Sequence, residues 1–192
     1  MKISRHYIPT FALEQIYKSF IRPVIEYGDV IYSVCAFDKY NEKHSPLSLS
    51  ISSLMSKLES IQYQAARYIT GTWKGSSMEK VYNLIGWEYL SHRRWVNRMC
   101  LFYKVLHGLT PTYLKSIITF SDSLRSVNKF VTPLETRTYR YKMSFFPTTI
   151  FSWNKILSAV DRGSASLTSF LLKLKSRIMK SKTNNFGLHF FA

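Results

Sequence analysis

Residues 57–109 read KLESIQYQAARYITG (57–71) and, after a short loop, SSMEKVYNLIGWEYLS (76–91) followed by HRRWVNRMCLFYKVLHGL (92–109). Apolar residues recur at three- and four-residue spacing in the first and third segments, which is the period of an amphipathic helix. Gly71, Gly86 and Gly108 stand near the ends of the segments, where glycine often terminates a helix. The stretch therefore predicts three consecutive helices separated by glycine-containing turns.

The first and third of these helices each have one apolar face. In the first helix the residues predicted to be buried are Leu54, Leu58, Ile61, Ala65, Tyr68 and Ile69. In the third helix they are Trp95, Met99, Phe102, Tyr103 and Leu106. The back of the third helix has Arg93, Arg94, Asn97 and Lys104. Because helical spacing separates the two sets, we expect one face to enter a hydrophobic core and the other to meet an anion.

The segment before this stretch is also predicted to be helical. Its apolar stripe consists of Leu13, Ile16, Tyr17, Phe20, Val24, Tyr27 and Ile31. Pro23 cannot donate a backbone hydrogen bond, so the sequence predicts either a kink or two helices that meet near Arg22. Residues 36–53 have turn residues and no period, which predicts a surface loop. Ser76 and Glu79 have the spacing of a capping box at the start of the next helix.

Further helices are predicted after residue 109, from Thr110 to about Ile118, from Pro147 to Leu157 and from Ser166 to Lys180. Between them, residues 119–143 lose the helical period, and the alternation in TRTYRYK favours an extended segment. The predicted fold class is therefore mainly α, a multi-helix bundle with a short extended or hairpin segment near residues 119–143.

Positive charge is unevenly distributed along the 192 residues, whose formal net charge is +16. Residues 1–60 contain seven Lys or Arg and six Asp or Glu, whereas residues 61–192 contain twenty and five. This excess predicts a polyanionic partner, with nucleic acid first and an acidic membrane surface second. Two cysteines are too few for a disulfide framework, and no apolar run approaches the ~20 residues of a membrane span. We expect a soluble intracellular protein, either nuclear or cytoplasmic.

The sequence lacks the residue groups that nucleotide polymerisation requires. Two-metal catalysis needs clustered carboxylates, whereas the four aspartates stand isolated at Asp29, Asp38, Asp122 and Asp161. No Cys or His spacing matches a metal site. Residues 71–76, GTWKGS, have Lys-Gly-Ser where a phosphate loop has Gly-Lys-Ser, and are predicted to form a tight interhelical turn. No catalytic residue, metal or cofactor is predicted.

Basic residues interleaved with aromatic ones are the remaining functional signal, because cations bind phosphates and aromatic rings stack on bases. Tyr63 either stacks on a nucleotide or packs against another helix, and Arg98 is either paired within the fold or directed into a groove. Residues 137–142 are predicted to present cations on both sides of an extended arm. The predicted nucleic-acid-binding residues are Tyr63, Arg67, Arg93, Arg94, Arg98, Lys104, Arg140 and Lys142.

The four tryptophans differ in their sequence context. Trp95 and Trp153 lie in apolar stripes and are predicted to be core residues. Trp87 is interpreted as a packing residue. Trp73 lies in the polar turn and is left without an assigned role.

Several segments resemble one protein family in collinear order. They are LESIQ-x-x-AAR-x-ITG (58–71), L-x-GWEYL (84–90), RRW (93–95) and CLFYK-x-L (100–106), with IYKSFIRPVIEYGDVIY (16–32) before them and RYKMSFFPTTI (140–150) and SWN (152–154) after them. The chain resembles the C-terminal part of jockey-type non-LTR (LINE) retrotransposon reverse transcriptases. In that family these segments lie beyond the polymerase palm, in the thumb and the region after it.

The resemblance implies a thumb-like helical region at 1–109 and a post-thumb basic region at 110–192, or one continuous domain. It implies a fragment of an RNA-directed DNA polymerase that holds an RNA/DNA hybrid or duplex by its backbone. Without palm carboxylates such a fragment is not an enzyme by itself, and the rest of the reverse transcriptase is a partner if the parent element is intact. The alternatives are a helical protein-interaction module and an inert retroelement remnant.

Overall fold

The structure is a computed structural model that describes residues 8–32, 46–120, 131–156 and 166–183. Over these residues the backbone is mainly helical, and its β structure is limited to one antiparallel bridge between Phe120 and Val131. The predicted mainly α fold is confirmed. The helices are α1 (Thr10–Ile16), α2 (Arg22–Glu26), α3 (Asp29–Tyr32), α4 (Pro46–Thr70), α5 (Met78–Ile85), α6 (Leu90–Leu106), α7 (Thr112–Ser116), α8 (Tyr139–Lys142), α9 (Phe145–Ile156) and α10 (Leu167–Thr183).

The chain divides into two compact units. The first unit contains residues 1–29 and 44–93, and the second unit contains residues 30–43 and 94–192. Helix α6 begins in the first unit, and most of its residues belong to the second. The domain limits predicted from the sequence stay a prediction, because compactness alone does not show that a segment folds independently.

An aromatic cluster joins the N-terminal helices of the first unit to the segment after α5. The rings of Tyr17 and Trp87 stack with centroids 4.3 Å apart, and the Arg22 guanidinium lies 5.3 Å and 5.2 Å from the two ring centroids. The Trp87 indole Nε1 donates to the Glu14 carboxylate over 2.9 Å. Hydrogen bonds from Lys18 and Trp87 to that carboxylate lower the pKa of Glu14. Tyr17 is therefore part of the core of this unit, and Glu14 and Arg22 contact Trp87 beside it.

The buried face of α4 overlaps the predicted one only in part. Ile69 is buried as predicted, together with Ala66 and the polar Gln62. Three residues of the predicted stripe are instead exposed, namely Leu54, Ile61 and Tyr68. The helix is also longer than predicted, since it begins at Pro46 and includes residues assigned to a surface loop.

Gln62 explains this rotation of the buried face. Its side-chain oxygen accepts a hydrogen bond from the Tyr17 hydroxyl over 3.0 Å, and its nitrogen donates to the Glu88 carbonyl over 2.9 Å. A buried amide that is hydrogen-bonded at both ends loses little on leaving water. Counting apolar residues alone therefore shifted the predicted buried face of α4 away from Gln62.

A π-helical turn at Tyr17–Ile21 separates α1 from α2. In a regular α-helix the ring of Pro23 would clash with the carbonyl of Ser19. Ser19 lies in the wider π turn, which removes the regular α-helical geometry at this point. The turn changes which side chains face inward, so that Tyr17 and Ile25 are buried. The remaining members of the predicted stripe are largely exposed, namely Ile16, Phe20, Val24, Tyr27 and Ile31.

The exposed positions on α2 and the π turn should tolerate polar substitution. We expect the double variant Phe20→Ser/Val24→Ser to change the free energy of unfolding by no more than about 0.5 kcal/mol, as for most surface sites. Tyr17→Ala is the matched buried control and should cost about 3–5 kcal/mol. Urea denaturation measures both values. A loss above 1 kcal/mol in the double variant would show that these side chains are covered in solution.

Helix α5 is capped by Ser77, one residue after the predicted position. Its hydroxyl oxygen accepts a hydrogen bond from the backbone N–H of Lys80 over 3.3 Å. The predicted Ser76–Glu79 capping box is therefore wrong, because the helix begins at Met78 and Lys80 occupies the third helical position. Gly86 ends the helix as predicted, with φ 69°.

The core of the second unit is built on the aromatic stripe of α6. The ring of Phe102 lies edge-on to Trp153 of α9, with centroids 5.2 Å apart. The ring of Tyr103 stacks on Phe170 of α10 at 4.7 Å. Buried aliphatic side chains complete the cluster, including Val105, Ile118, Val131, Ile150 and Leu174. The predicted inward face of α6 is confirmed.

The segment predicted to be extended contains the single described bridge. Thr132 donates its backbone N–H to the Thr119 carbonyl over 2.8 Å, beside the Phe120–Val131 bridge. The Asn154 side chain bonds both the N–H and the carbonyl of Val131, at 3.1 Å and 2.7 Å. Residues 121–130, where a hairpin would turn, lie outside the described residues.

Candidate nucleic-acid interface

Tyr63 and Arg67 lie together on α4 in the first unit. The Arg67 guanidinium carbon is 5.4 Å from the centroid of the Tyr63 ring, a cation–π distance. Tyr63 is half-buried against the core, and its hydroxyl donates to the Ser76 carbonyl. The ring therefore packs within the fold, which is one of the two alternatives for this residue. Arg67 is half-buried, with a buried Nε that has no hydrogen-bond partner among the described residues.

Arg93 forms an ion pair within the first unit. Its Nε donates to Glu26 Oε1, and its Nη2 donates to Glu26 Oε2 over 3.0 Å. These hydrogen bonds raise the pKa of Arg93, and burial opposes the shift. A guanidinium held by a carboxylate in this two-bond geometry has most of its charge already neutralised. The predicted role of Arg93 on an open anion-binding face needs correction for this reason.

Arg94 and Arg98 are buried side chains of the second unit, with exposed fractions of 4% and 1%. Arg98 Nη1 donates to the Thr148 hydroxyl over 2.6 Å, and its guanidinium lies 5.9 Å from the Phe145 ring centroid. Of the two alternatives for Arg98, the structure therefore shows the one in which the side chain is paired within the fold. Arg94 was predicted on the polar back of α6, and this placement is wrong because the buried face of the helix is wide enough to include it.

Lys104 lies one helical turn after Cys100 on α6. Burial raises the pKa of the Cys100 thiol, and the positive charges of Lys104 and of Lys175 on α10 act in the opposite direction. Lys104 is half-buried and Lys175 is exposed. Both charges belong to the second unit, one on α6 and one on α10.

Arg140 and Lys142 are exposed on α8. The prediction of an extended arm over 137–142 is wrong at its C-terminal end, since Tyr139–Lys142 forms a helical turn. The turn is closed by the Lys142 N–H, which donates to the Thr138 carbonyl over 3.0 Å. The cations at 140 and 142 remain accessible in this geometry.

The predicted residues fall in different units. Tyr63, Arg67 and Arg93 lie in the first, and Arg94, Arg98, Lys104, Arg140 and Lys142 lie in the second. The acidic partner of Arg93 could not be predicted from local spacing, because Glu26 is 67 residues away. The uneven charge found along the sequence also differs between the two units. The second unit contains eighteen Lys or Arg and five Asp or Glu, a net charge of +13. The first unit contains nine Lys or Arg and six Asp or Glu.

In the part of the chain that the structure describes, no group of three His, Cys, Asp or Glu side chains is arranged to hold a metal ion. Over the same residues, no helix has both the length and the apolar content needed to cross a bilayer.

Comparison of the chain with protein-family models, with curated proteins and with solved structures found no match. The geometry and the charge distribution are therefore the observations from which a function has to be argued.

Proposed function

We propose that the chain binds nucleic acid through the phosphate backbone, as the thumb and post-thumb region of a non-LTR retrotransposon reverse transcriptase, and does not polymerise nucleotides by itself. The charge of the second unit is the single observation that carries the proposal. A net charge of +13 on residues 30–43 and 94–192 is far more than solubility requires, and it attracts a polyanion over long range.

The accessible cations of the second unit are the proposed contacts. Arg140 and Lys142 on α8 come first, because both side chains are exposed. Lys104 and Lys175 supply a second group on α6 and α10. Arg93, Arg94 and Arg98 are not part of this set, since an ion pair or burial engages each of them in the fold. Phosphate contacts of this kind position a duplex without reading its sequence.

The salt dependence of binding tests this proposal. Each phosphate neutralised on duplex DNA contributes about 0.9 to the slope of log affinity against log salt. We expect Arg140→Ala/Lys142→Ala to flatten that slope by about 1.8 if both side chains contact phosphates. Fluorescence anisotropy with a labelled duplex at several salt concentrations measures the slope.

Lys57→Ala/Lys80→Ala is the matched control, because it removes the same charge from exposed positions of the first unit. The control should keep the parent slope. Equal flattening in both variants would mean that the charge acts diffusely and that α8 is not a site. Binding that does not weaken with salt would instead favour the helical protein-interaction module.

A further inference from the structure

The turn between α4 and α5 is anchored at both ends. Helix α4 ends at Thr70, and Gly71 follows with φ 70°. The Ser76 N–H donates to the Trp73 carbonyl over 3.1 Å, which closes a reverse turn over residues 73–76. The Ser76 carbonyl in turn accepts the hydroxyl of Tyr63 from α4. The backbone of Trp73 is therefore held by its hydrogen bond to Ser76, and Ser76 is held in turn by Tyr63.

Trp73 has 84% of its surface exposed on this anchored turn. The other three tryptophans, Trp87, Trp95 and Trp153, are buried, with exposed fractions of 7% or less. The Cδ1 edge of the indole lies beside Gly75, where an added Cβ would be 3.7 Å from Trp73 Cδ1. A single exposed apolar side chain is common on protein surfaces, so the surroundings of the indole have to decide its role.

Two cations belong to the turn and to the helix that anchors it. Lys74 follows it directly in the turn and is exposed. Arg67 lies over the ring of Tyr63, the same residue that holds the turn through Ser76. The Arg67 Nε has no hydrogen-bond partner among the described residues. An open aromatic face with cations beside it is the combination by which proteins hold an unpaired nucleotide.

We propose that the α4–α5 turn binds an unpaired nucleotide of a nucleic acid, with the Trp73 indole stacked on the base and Lys74 and Arg67 bound to the neighbouring phosphates. This inference rests on the proposed nucleic-acid binding and adds a single-strand contact in the first unit. An unpaired base is required, because the faces of bases inside a duplex are already stacked on their neighbours.

The neighbours of Trp73 favour this ligand over a lipid surface. Membrane-surface attachment depends on a broad apolar face that enters the bilayer. Here the residues on either side of the indole are Thr72, Lys74, Gly75 and Ser76, which are polar or small. One indole among such residues suits stacking on a single base.

Acrylamide quenching of tryptophan fluorescence tests the proposal on the full chain. Trp73 is the exposed tryptophan, so it should give the part of the tryptophan fluorescence that acrylamide quenches. Loss of that part in Trp73→Phe would assign it to Trp73. Addition of an oligo(dT) strand should protect that fraction from acrylamide. An abasic strand of the same length should bind by its phosphates and leave Trp73 quenchable.

Affinity measurements on Trp73→Leu complete the test. Stacking contributes about 1–3 kcal/mol per base, so the variant should bind oligo(dT) about 5- to 150-fold more weakly. Its affinity for a blunt duplex should change by less than about twofold, since internal bases cannot stack on the indole. Phe11→Leu is the matched control, because it shortens another exposed aromatic side chain of the first unit.

The outcomes separate this inference from the proposed function. Binding of oligo(dT) with Trp73 still quenchable, or equal affinity of Trp73→Leu and parent, overturns the single-strand site and leaves backbone binding intact. Absence of binding to any strand or duplex overturns both. Protection of Trp73 by vesicles of phosphatidylcholine and phosphatidylserine, without protection by oligo(dT), would identify a membrane contact and overturn the nucleotide site.

Discussion

Replacing Arg98 by alanine is expected to lower the free energy of unfolding by about 2–4 kcal/mol, as large-to-small changes in a core do. The side chain is fully buried beside Phe145 and donates to the Thr148 hydroxyl over 2.6 Å. Truncation leaves a cavity in the second unit, and the structure around it can only partly relax. Urea denaturation monitored by circular dichroism measures the loss.

Methionine at position 98 provides the matched comparison. It fills a similar volume without a charge, and burying a cation is costly when no carboxylate pairs with it. Among the described residues Arg98 forms no ion pair. We therefore expect Arg98→Met to be at least as stable as the parent and to keep the salt slope of duplex binding. A loss in the Met variant as large as that in the Ala variant, or a slope reduced by about 0.9, would show that the guanidinium charge itself is used.

Glu59→Ala should be the most damaging single change among the polar residues of α4. One carboxylate oxygen accepts the Tyr82 hydroxyl over 2.8 Å, and the other accepts the Leu90 N–H over 3.0 Å. Tyr82 and Leu90 are both buried, so the variant leaves two donors without this acceptor. Each unsatisfied buried donor costs about 1–3 kcal/mol, so two of them give a loss of about 2–6 kcal/mol in unfolding free energy.

Glu59→Gln and Glu79→Ala are the comparisons for this variant. Glutamine keeps one acceptor oxygen and should retain part of the stability. Glu79 is exposed in the first turn of α5, where its loss should cost no more than about 1 kcal/mol. If Glu59→Ala and Glu79→Ala destabilised the protein equally, the hydrogen bonds of Glu59 to Tyr82 and Leu90 would contribute nothing specific to stability.

The helical architecture could be predicted because it depends on local spacing. The stripe of α6, with Met99, Phe102 and Tyr103, has a period that only a helix satisfies, and all three are buried. Trp95 and Trp153 were predicted to be core residues on the same local basis, from their apolar context, and both are buried. In contrast, the inward face of α4 depends on Gln62, whose partners come from distant parts of the chain.

The arginines show the same limit more clearly. Sequence spacing placed Arg93 and Arg94 on the polar back of α6 and left two roles open for Arg98, but it could name no partner for any of them. In the structure Arg93 is paired with an acid 67 positions away, and Arg98 bonds a hydroxyl 50 positions away. Long-range partners of this kind leave no periodic signal. Pro23 is a further case, since its effect on backbone bonding was predictable but the resulting π turn and exposed stripe were not.

The first unit is assembled from two separate stretches of chain, and this affects the order in which it can form. Its hydrogen bonds span 45 positions from Tyr17 to Gln62, and 73 positions from Glu14 to Trp87. During synthesis, residues 1–29 must therefore wait for Trp87 and Arg93 before their core contacts exist, and contacts of such long range slow folding. Until then Tyr17 lacks its ring contact with Trp87, and Glu26 lacks its ion pair with Arg93. A fragment that starts at residue 44 would contain α4 and α5 but would lose Tyr17, Glu14 and Glu26, which bond Gln62, Trp87 and Arg93.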